Sequence, residues 1–138
     1  MAYKVLGRKA AAATTAEELY AVPSGSSAVV STIVIANRSA AVKTYRLAVK
    51  PTSGTTLANE HYLAYDIAIA ANDSTALTLG ITLTSGNVVV TYASAADLTF
   101  TAFGSERLWW LMITGFLISV FTRSLVSGVL ALGLQERQ

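Results

Sequence analysis

Residues 28–37, AVVSTIVIAN, are the stretch that decides the fold of this chain. Valine, isoleucine and threonine dominate it, and such β-branched residues are enriched in strands. Period-two alternation predicts that Val29, Ser31, Ile33 and Ile35 share one face of a strand. Both faces are largely apolar, so we expect this strand to be covered on both sides.

Short segments of the same kind recur along the chain as far as Phe103. Lys43–Lys50 alternates cleanly, with Tyr45, Leu47 and Val49 predicted to face inward. The other strand-like segments are Leu19–Val22, Tyr62–Ala70, Ala76–Thr84, Val88–Ala93 and Leu98–Phe103. About seven or eight short strands at roughly ten-residue spacing predict an all-β fold, an antiparallel β-sandwich.

Two of these segments carry further detail. Tyr62–Ala70 repeats the half-buried pattern of Lys43–Lys50, and Leu63, Tyr65, Ile67 and Ile69 are predicted to share one of its faces. In Ala76–Thr84, Gly80 interrupts an alternating series of leucine and isoleucine residues. A glycine inside a strand pattern often marks a β-bulge, so we predict a bulge there.

The chain divides into three predicted parts. Residues 1–16 are interpreted as a weakly structured N-terminal arm, because the small residues near its end show no alternating face. Residues 17–106 contain the alternating segments and are predicted to form the β-sandwich module. Residues 107–138 form an apolar C-terminal docking segment, predicted to be helical, in which Arg123 is the only charge within Leu108–Leu134.

Two interpretations of the C-terminal segment remain open. As one helix, Leu108–Leu134 would be about 40 Å long, which exceeds a bilayer core of about 30 Å, so its length permits a membrane span. Within this segment the longest charge-free run is Leu108–Thr122, which is shorter than 18 residues. This favours the second interpretation, burial against copies of the chain or another protein.

Under either interpretation the C-terminal segment docks the protein to something larger. A monomer would otherwise expose far more apolar surface than soluble proteins tolerate, so we expect an oligomer. The predicted docking residues combine large apolar anchors, small residues that permit close packing, and one arginine. They are Trp109, Trp110, Gly115, Phe116, Ser119, Phe121, Arg123 and Gly128.

Composition and residue types argue against several classes of function. The net charge of +2 is too small to indicate a nucleic-acid partner, and the chain has no cysteine for disulfides or thiolate metal sites. His61 is the only histidine, and a lone histidine at the start of a strand is usually structural. A hydrolase using His61, Asp66 and a serine has the least support. We therefore predict no catalytic, metal or cofactor site and no small-molecule substrate.

Seven sequence blocks stand in a distinctive order and spacing between about residues 3 and 106. They are Leu19–Pro23, Ala28–Arg38, Tyr45–Val49, Leu57–Asp66, Ala71–Ser74, Leu77–Leu83 and Phe103–Glu106. In this order they resemble small β-sandwich virion proteins of tailed bacteriophages. The resemblance implies a non-enzymatic structural protein of the virion whose partners are copies of itself and other virion proteins.

The resemblance leaves the position in the particle open. A symmetric oligomer in the tail, fibre or baseplate region is one alternative, and a decoration (cement) protein on the capsid is another. The C-terminal segment adds a third, a membrane-anchored β binding module. Virion proteins of this kind end shortly after the block Phe103–Glu106, so residues 107–138 are atypical. Their role is not implied by the resemblance.

Overall fold

The computed structural model describes residues 2–108, and this part of the chain is built almost entirely of strands. The strands are β1 (Tyr3–Ala10), β2 (Ala16–Ala21), β3 (Ser27–Asn37), β4 (Lys43–Lys50), β5 (Tyr62–Ile69), β6 (Ser74–Leu83), β7 (Val88–Ala93) and β8 (Leu98–Arg107). A short 3-10 helix, Asn59–His61, precedes β5. The chain divides into two units, Met1–Arg107 and Leu108–Gln138, and the eight strands belong to the first.

The eight strands form two four-stranded antiparallel sheets. Sheet A has the strand order β1-β8-β3-β6, and sheet B has the order β2-β7-β4-β5. All neighbouring strands in both sheets pair antiparallel. This order is that of a jelly roll, a sandwich made of two Greek keys. The predicted all-β class and antiparallel sandwich are therefore confirmed.

The hydrophobic core lies between the two sheets. Ile33 from sheet A and Leu47 from sheet B are completely buried there. The ring of Tyr45 contacts that of Phe100 edge-on, with 6.5 Å between centroids, and so joins β4 to β8. Aromatic pairs of this geometry add to the free energy gained from burial. The predicted inward orientation of Tyr45 and Leu47 is confirmed, while Val49 is only half-buried.

The prediction of a weakly structured N-terminal arm in residues 1–16 is wrong. Tyr3–Ala10 is strand β1 and pairs with β8, from Tyr3 opposite Ser105 to Ala10 opposite Thr99. Most of β1 is exposed or half-buried, because it is an edge strand with one face toward solvent. Its apolar alternation is therefore weak, and its pairing partner lies about a hundred residues later in the sequence.

A bulge changes the predicted faces of β3. Its register with both neighbouring strands shifts between Val30 and Thr32. The buried positions therefore change phase, from Val30 before the shift to Ile33 and Ile35 after it. Val29, predicted to lie on the face of Ile33, is exposed. A single period-two pattern cannot continue across an inserted residue. The outer face of β3 is also less covered than predicted.

Irregularities in β5 and β6 shape one edge of the sandwich. Asp66 in β5 has a φ of 50°, and the register with β4 shifts nearby. Of the four residues predicted to form the buried face of β5, only Ile69 is buried, which corrects that prediction. In β6, Gly80 has a φ of 61° at a register shift, as the predicted bulge requires.

Candidate interaction surface

The sandwich has two lateral sides, where edge strands of the two sheets lie beside each other. One side is bordered by β1 and β2, and the other by β5 and β6. Such edges carry unpaired backbone groups and are the places where another chain can associate. The chemistry of the two sides decides which of them is available for an interaction.

Charged side chains close the side between β1 and β2, which we call the charged clasp. Lys9 Nζ lies 3.0 Å from Glu17 Oε2 and donates a hydrogen bond to the backbone oxygen of Glu18. The backbone N–H of Ala12 donates to Glu17 Oε1 at 2.6 Å. This hydrogen bond, and then Lys9, lower the pKa of Glu17. The clasp therefore joins the two sheets and presents charge to solvent.

The side between β5 and β6 is apolar and open, and we call its hollow the β5–β6 cleft. Its volume is about 450 Å³, and it is lined by Val49, Leu63, Leu79, Ile81, Thr82, Leu83 and Asn87. Leu63 and Leu79, which both line the cleft, are 52% and 50% exposed. β6 contains no charged residue, and the one charge in β5 is Asp66.

Bulges interrupt both of the strands that border this cleft. At Asp66 and Gly80 the backbone has positive φ, and the ladder to the inner neighbour is interrupted. Bulges at sheet edges hinder the addition of a further strand, because the row of backbone donors and acceptors is no longer regular. The cleft therefore exposes apolar side chains rather than a straight backbone edge.

A cluster of aromatic rings around one arginine covers part of the outer face of sheet B. The guanidinium carbon of Arg46 lies 4.0 Å from the ring centroid of Tyr65 and 4.4 Å from that of Tyr92. Arg46 also donates two hydrogen bonds to Asp66, at 2.6 and 3.2 Å, and this carboxylate raises the pKa of Arg46. Tyr62 packs edge-on against Tyr65. The only carboxylate of β5 is thus neutralised within its own sheet.

The residues considered for chemistry have structural partners. His61 Nδ1 accepts a hydrogen bond of 3.0 Å from the backbone N–H of Ala58, and Asp66 is paired with Arg46. Among residues 2–108, no group of three or more histidine, aspartate or glutamate side chains converges as a metal site would require. The same part of the chain contains no helix long and apolar enough to cross a bilayer.

The docking residues predicted from the sequence lie outside the part of the chain that the structure describes. They are Trp109, Trp110, Gly115, Phe116, Ser119, Phe121, Arg123 and Gly128, and their role stays a prediction. Sequence reasoning missed the β5–β6 cleft, although the charge-free composition of β6 was a signal for it. No protein-family model matches this chain, and no curated protein matches it either.

Proposed function

We propose that this protein is a non-enzymatic structural component of a bacteriophage virion, which assembles as a symmetric oligomer. The observation that carries the proposal is the open apolar side of the jelly roll, where leucine side chains stand exposed around a charge-free cleft. Exposed apolar side chains of this kind are available to pack against another protein surface. The sequence resemblance over about residues 3–106 supplies the setting, a phage particle.

The fold is compatible with this role and does not decide it. Jelly rolls form viral capsid domains, but they also form lectin domains and enzymes, so function has to be argued from surfaces. Charged residues make up 13% of this chain, about half the usual share, and few charges therefore oppose association between copies. A surface with few charges therefore favours a protein that assembles with copies of itself.

Purified particles provide the test. We expect the protein to co-purify with phage particles through a density gradient without detergent, in a copy number that matches a symmetric ring, fibre or lattice. Immunogold labelling then assigns its position. Label on the tail axis would support the tail, fibre or baseplate alternative, and label spread over the head would support capsid decoration. Recovery only in detergent-extracted membranes would overturn the proposal in favour of the membrane-anchored module.

Variants of the C-terminal segment test its part in this attachment. Removal of residues 107–138, or replacement of Trp109 and Trp110 by serine, is expected to reduce incorporation, because large apolar anchors dominate interface energies. Arg123→Leu distinguishes the environments. In a bilayer the change removes a costly charge and leaves attachment equal or tighter. In a protein groove it leaves a polar partner unsatisfied and weakens assembly.

A further inference from the structure

The strand β1 is held in the sandwich mainly by its pairing with β8. It is an edge strand at the start of the chain, and none of its eight side chains is fully buried. Among the hydrophobic side chains of Tyr3–Ala10, Leu6 alone packs against the main core. Terminal strands that bury little apolar surface open at a lower cost in free energy than core strands. β1 is therefore the strand that can leave the sandwich most easily.

The connection between β1 and β2 is short and strained. Only residues 11–15 join the two strands. Thr14 has a φ of 51°, in the left-handed region that β-branched residues rarely adopt. Hydrogen bonds fix the turn: the backbone N–H of Thr14 donates to the backbone oxygen of Ala93 at 2.8 Å, and that of Ala12 donates to Glu17 Oε1 at 2.6 Å. The fold thus holds backbone strain where the chain passes from sheet A to sheet B.

The place that β1 occupies is fitted to the sequence of β1. Gly7 passes so close to β2 that a Cβ atom there would collide with the backbone oxygen of Leu19. Leu6 Cδ1 lies 2.9 Å from the position that a Cβ atom would take at Gly104 of β8, so Leu6 packs directly over that glycine. The charged clasp adds an ion pair between β1 and β2. A second copy of β1 reproduces all of these features, because its sequence is the same.

We infer that β1 exchanges between two copies of this protein, so that each chain places its β1 on β8 of the other. The exchange keeps the strand pairing, the packing of Leu6 and the charged clasp, and forms them between molecules. Residues 11–15 can then extend, and Thr14 leaves the left-handed region. Short hinge loops under strain favour such an exchange. The inference rests on the proposed self-assembly and deepens it by naming the contact.

A pair of cysteines across β1 and β8 tests the exchange in the full-length protein. The chain has no cysteine, and Arg8 lies opposite Thr101 in the register of these strands. In the Arg8→Cys/Thr101→Cys protein, a short bis-maleimide reagent should join two chains, which appear as a covalent dimer on a denaturing gel. The matched control is Val34→Cys/Thr101→Cys, because Val34 of β3 lies opposite the same residue. This pair stays within one chain and should give only an internally linked monomer.

Thr14→Gly tests the hinge and leaves β1 and β8 unchanged. Glycine adopts positive φ without strain, so the substitution favours the closed monomer over the exchanged dimer. We expect the dissociation constant of the dimer to rise about tenfold or more. Ala12→Gly is the control, at a hinge residue whose φ is not positive, and should change this constant less than about threefold. Sedimentation measures association, and thermal melts followed by circular dichroism establish that both variants are folded.

Three results would overturn the inference. They are a monomeric wild-type protein, an Arg8→Cys/Thr101→Cys oligomer that yields only internally linked monomers, and equal association of the Thr14→Gly and Ala12→Gly proteins. The second result would leave the proposed self-assembly standing, through a different surface. A protein that forms exchanged dimers but is absent from phage particles would instead contradict the proposed function and support the exchange.

Discussion

The hydroxyl of Tyr20 donates a hydrogen bond of 2.6 Å to the carboxylate of Glu106 and so connects the two sheets. Tyr20 lies on β2 and Glu106 on β8, next to the last residue of that strand. Lys4 Nζ lies 3.6 Å from the other carboxylate oxygen. Burial of Tyr20, together with the hydrogen bond to Glu106, raises the pKa of the phenol, which therefore remains a donor at neutral pH. These contacts therefore hold β2 and β8 together just before the C-terminal segment begins.

Tyr20→Phe is expected to lower the free energy of unfolding by about 1–2 kcal/mol. The substitution keeps the ring and removes a hydrogen bond to a charged acceptor, whose loss is costly in a partly buried site. Urea denaturation measures the change. Tyr3→Phe, at a residue largely exposed on β1, is the control and should alter stability by less than about 0.5 kcal/mol. Equal effects of the two substitutions would mean that the Tyr20–Glu106 bond contributes nothing.

Gly104→Ala is expected to destabilise the fold severely. A Cβ atom at Gly104 would collide with the backbone carbonyl of Val29 on the neighbouring strand, which cannot move away as a side chain can. Gly54→Ala provides the control, because a Cβ there meets no atom within 4 Å. Soluble yield and thermal melting of the two proteins measure the difference. A well-folded Gly104→Ala protein of wild-type stability would contradict the close pairing of β3 with β8 at this position.

Leu47→Asp is expected to unfold the sandwich. Leu47 is completely buried between the sheets, and an unpaired carboxylate there costs several kcal/mol, which is comparable with the stability of a small domain. Arg46→Ala, one residue earlier on the outer face of β4, should cost about 1 kcal/mol, because it removes an exposed ion pair and ring contacts. Circular dichroism and urea denaturation distinguish these outcomes. If the Leu47→Asp and Arg46→Ala proteins had similar stabilities, the assignment of Leu47 to the core face and Arg46 to the outer face of β4 would be wrong.

Acid stability should depend on Glu17. Its pKa in the folded protein is below its ordinary value of 4.5, so the folded state favours the carboxylate. The ionised Glu17 carboxylate stabilises the fold above pH 4.5, and this contribution is lost as the pH falls through the lowered pKa of Glu17. Glu17→Gln should therefore reduce stability at pH 7, and its difference from the wild type should shrink below pH 4.5.

The same substitution at Glu60 is the control for this pH dependence. Glu60 is exposed in the 3-10 helix before β5, away from the charged clasp. Chemical denaturation at a series of pH values measures all three proteins. A Glu17→Gln protein whose difference from the wild type stays constant from pH 7 to acid would show that the clasp does not favour the ionised carboxylate.

A chain ending at Arg107 is expected to fold by itself. All eight strands and the buried core described above lie within residues 3–107. Such a chain should give a cooperative thermal transition with a β-type circular dichroism spectrum. A disordered product would mean that residues 108–138 are needed to complete the fold.

Much of the architecture follows directly from the sequence. The β-branched runs, their period-two alternation and the turn residues between them specify an antiparallel sandwich, and Gly80 marks a bulge where the structure has one. These features are local, because the backbone preference of a residue and the face of its side chain depend mainly on its neighbours in the chain. The two-part division near Glu106 is also visible as an abrupt change in charge and hydropathy.

The tertiary structure decided what depends on distant partners. β1 exists as a strand because β8 supplies its hydrogen bonds, and the bulges at Ser31 and Asp66 change which side chains are buried only through their pairing with other strands. For the same reason the alternation of β5 predicted a buried face, whereas the structure exposes Leu63 beside Leu79 at an open side. The sequence shows directly which residues are apolar. Whether another layer covers them is set by where the sheet ends, and that is a property of the assembled fold.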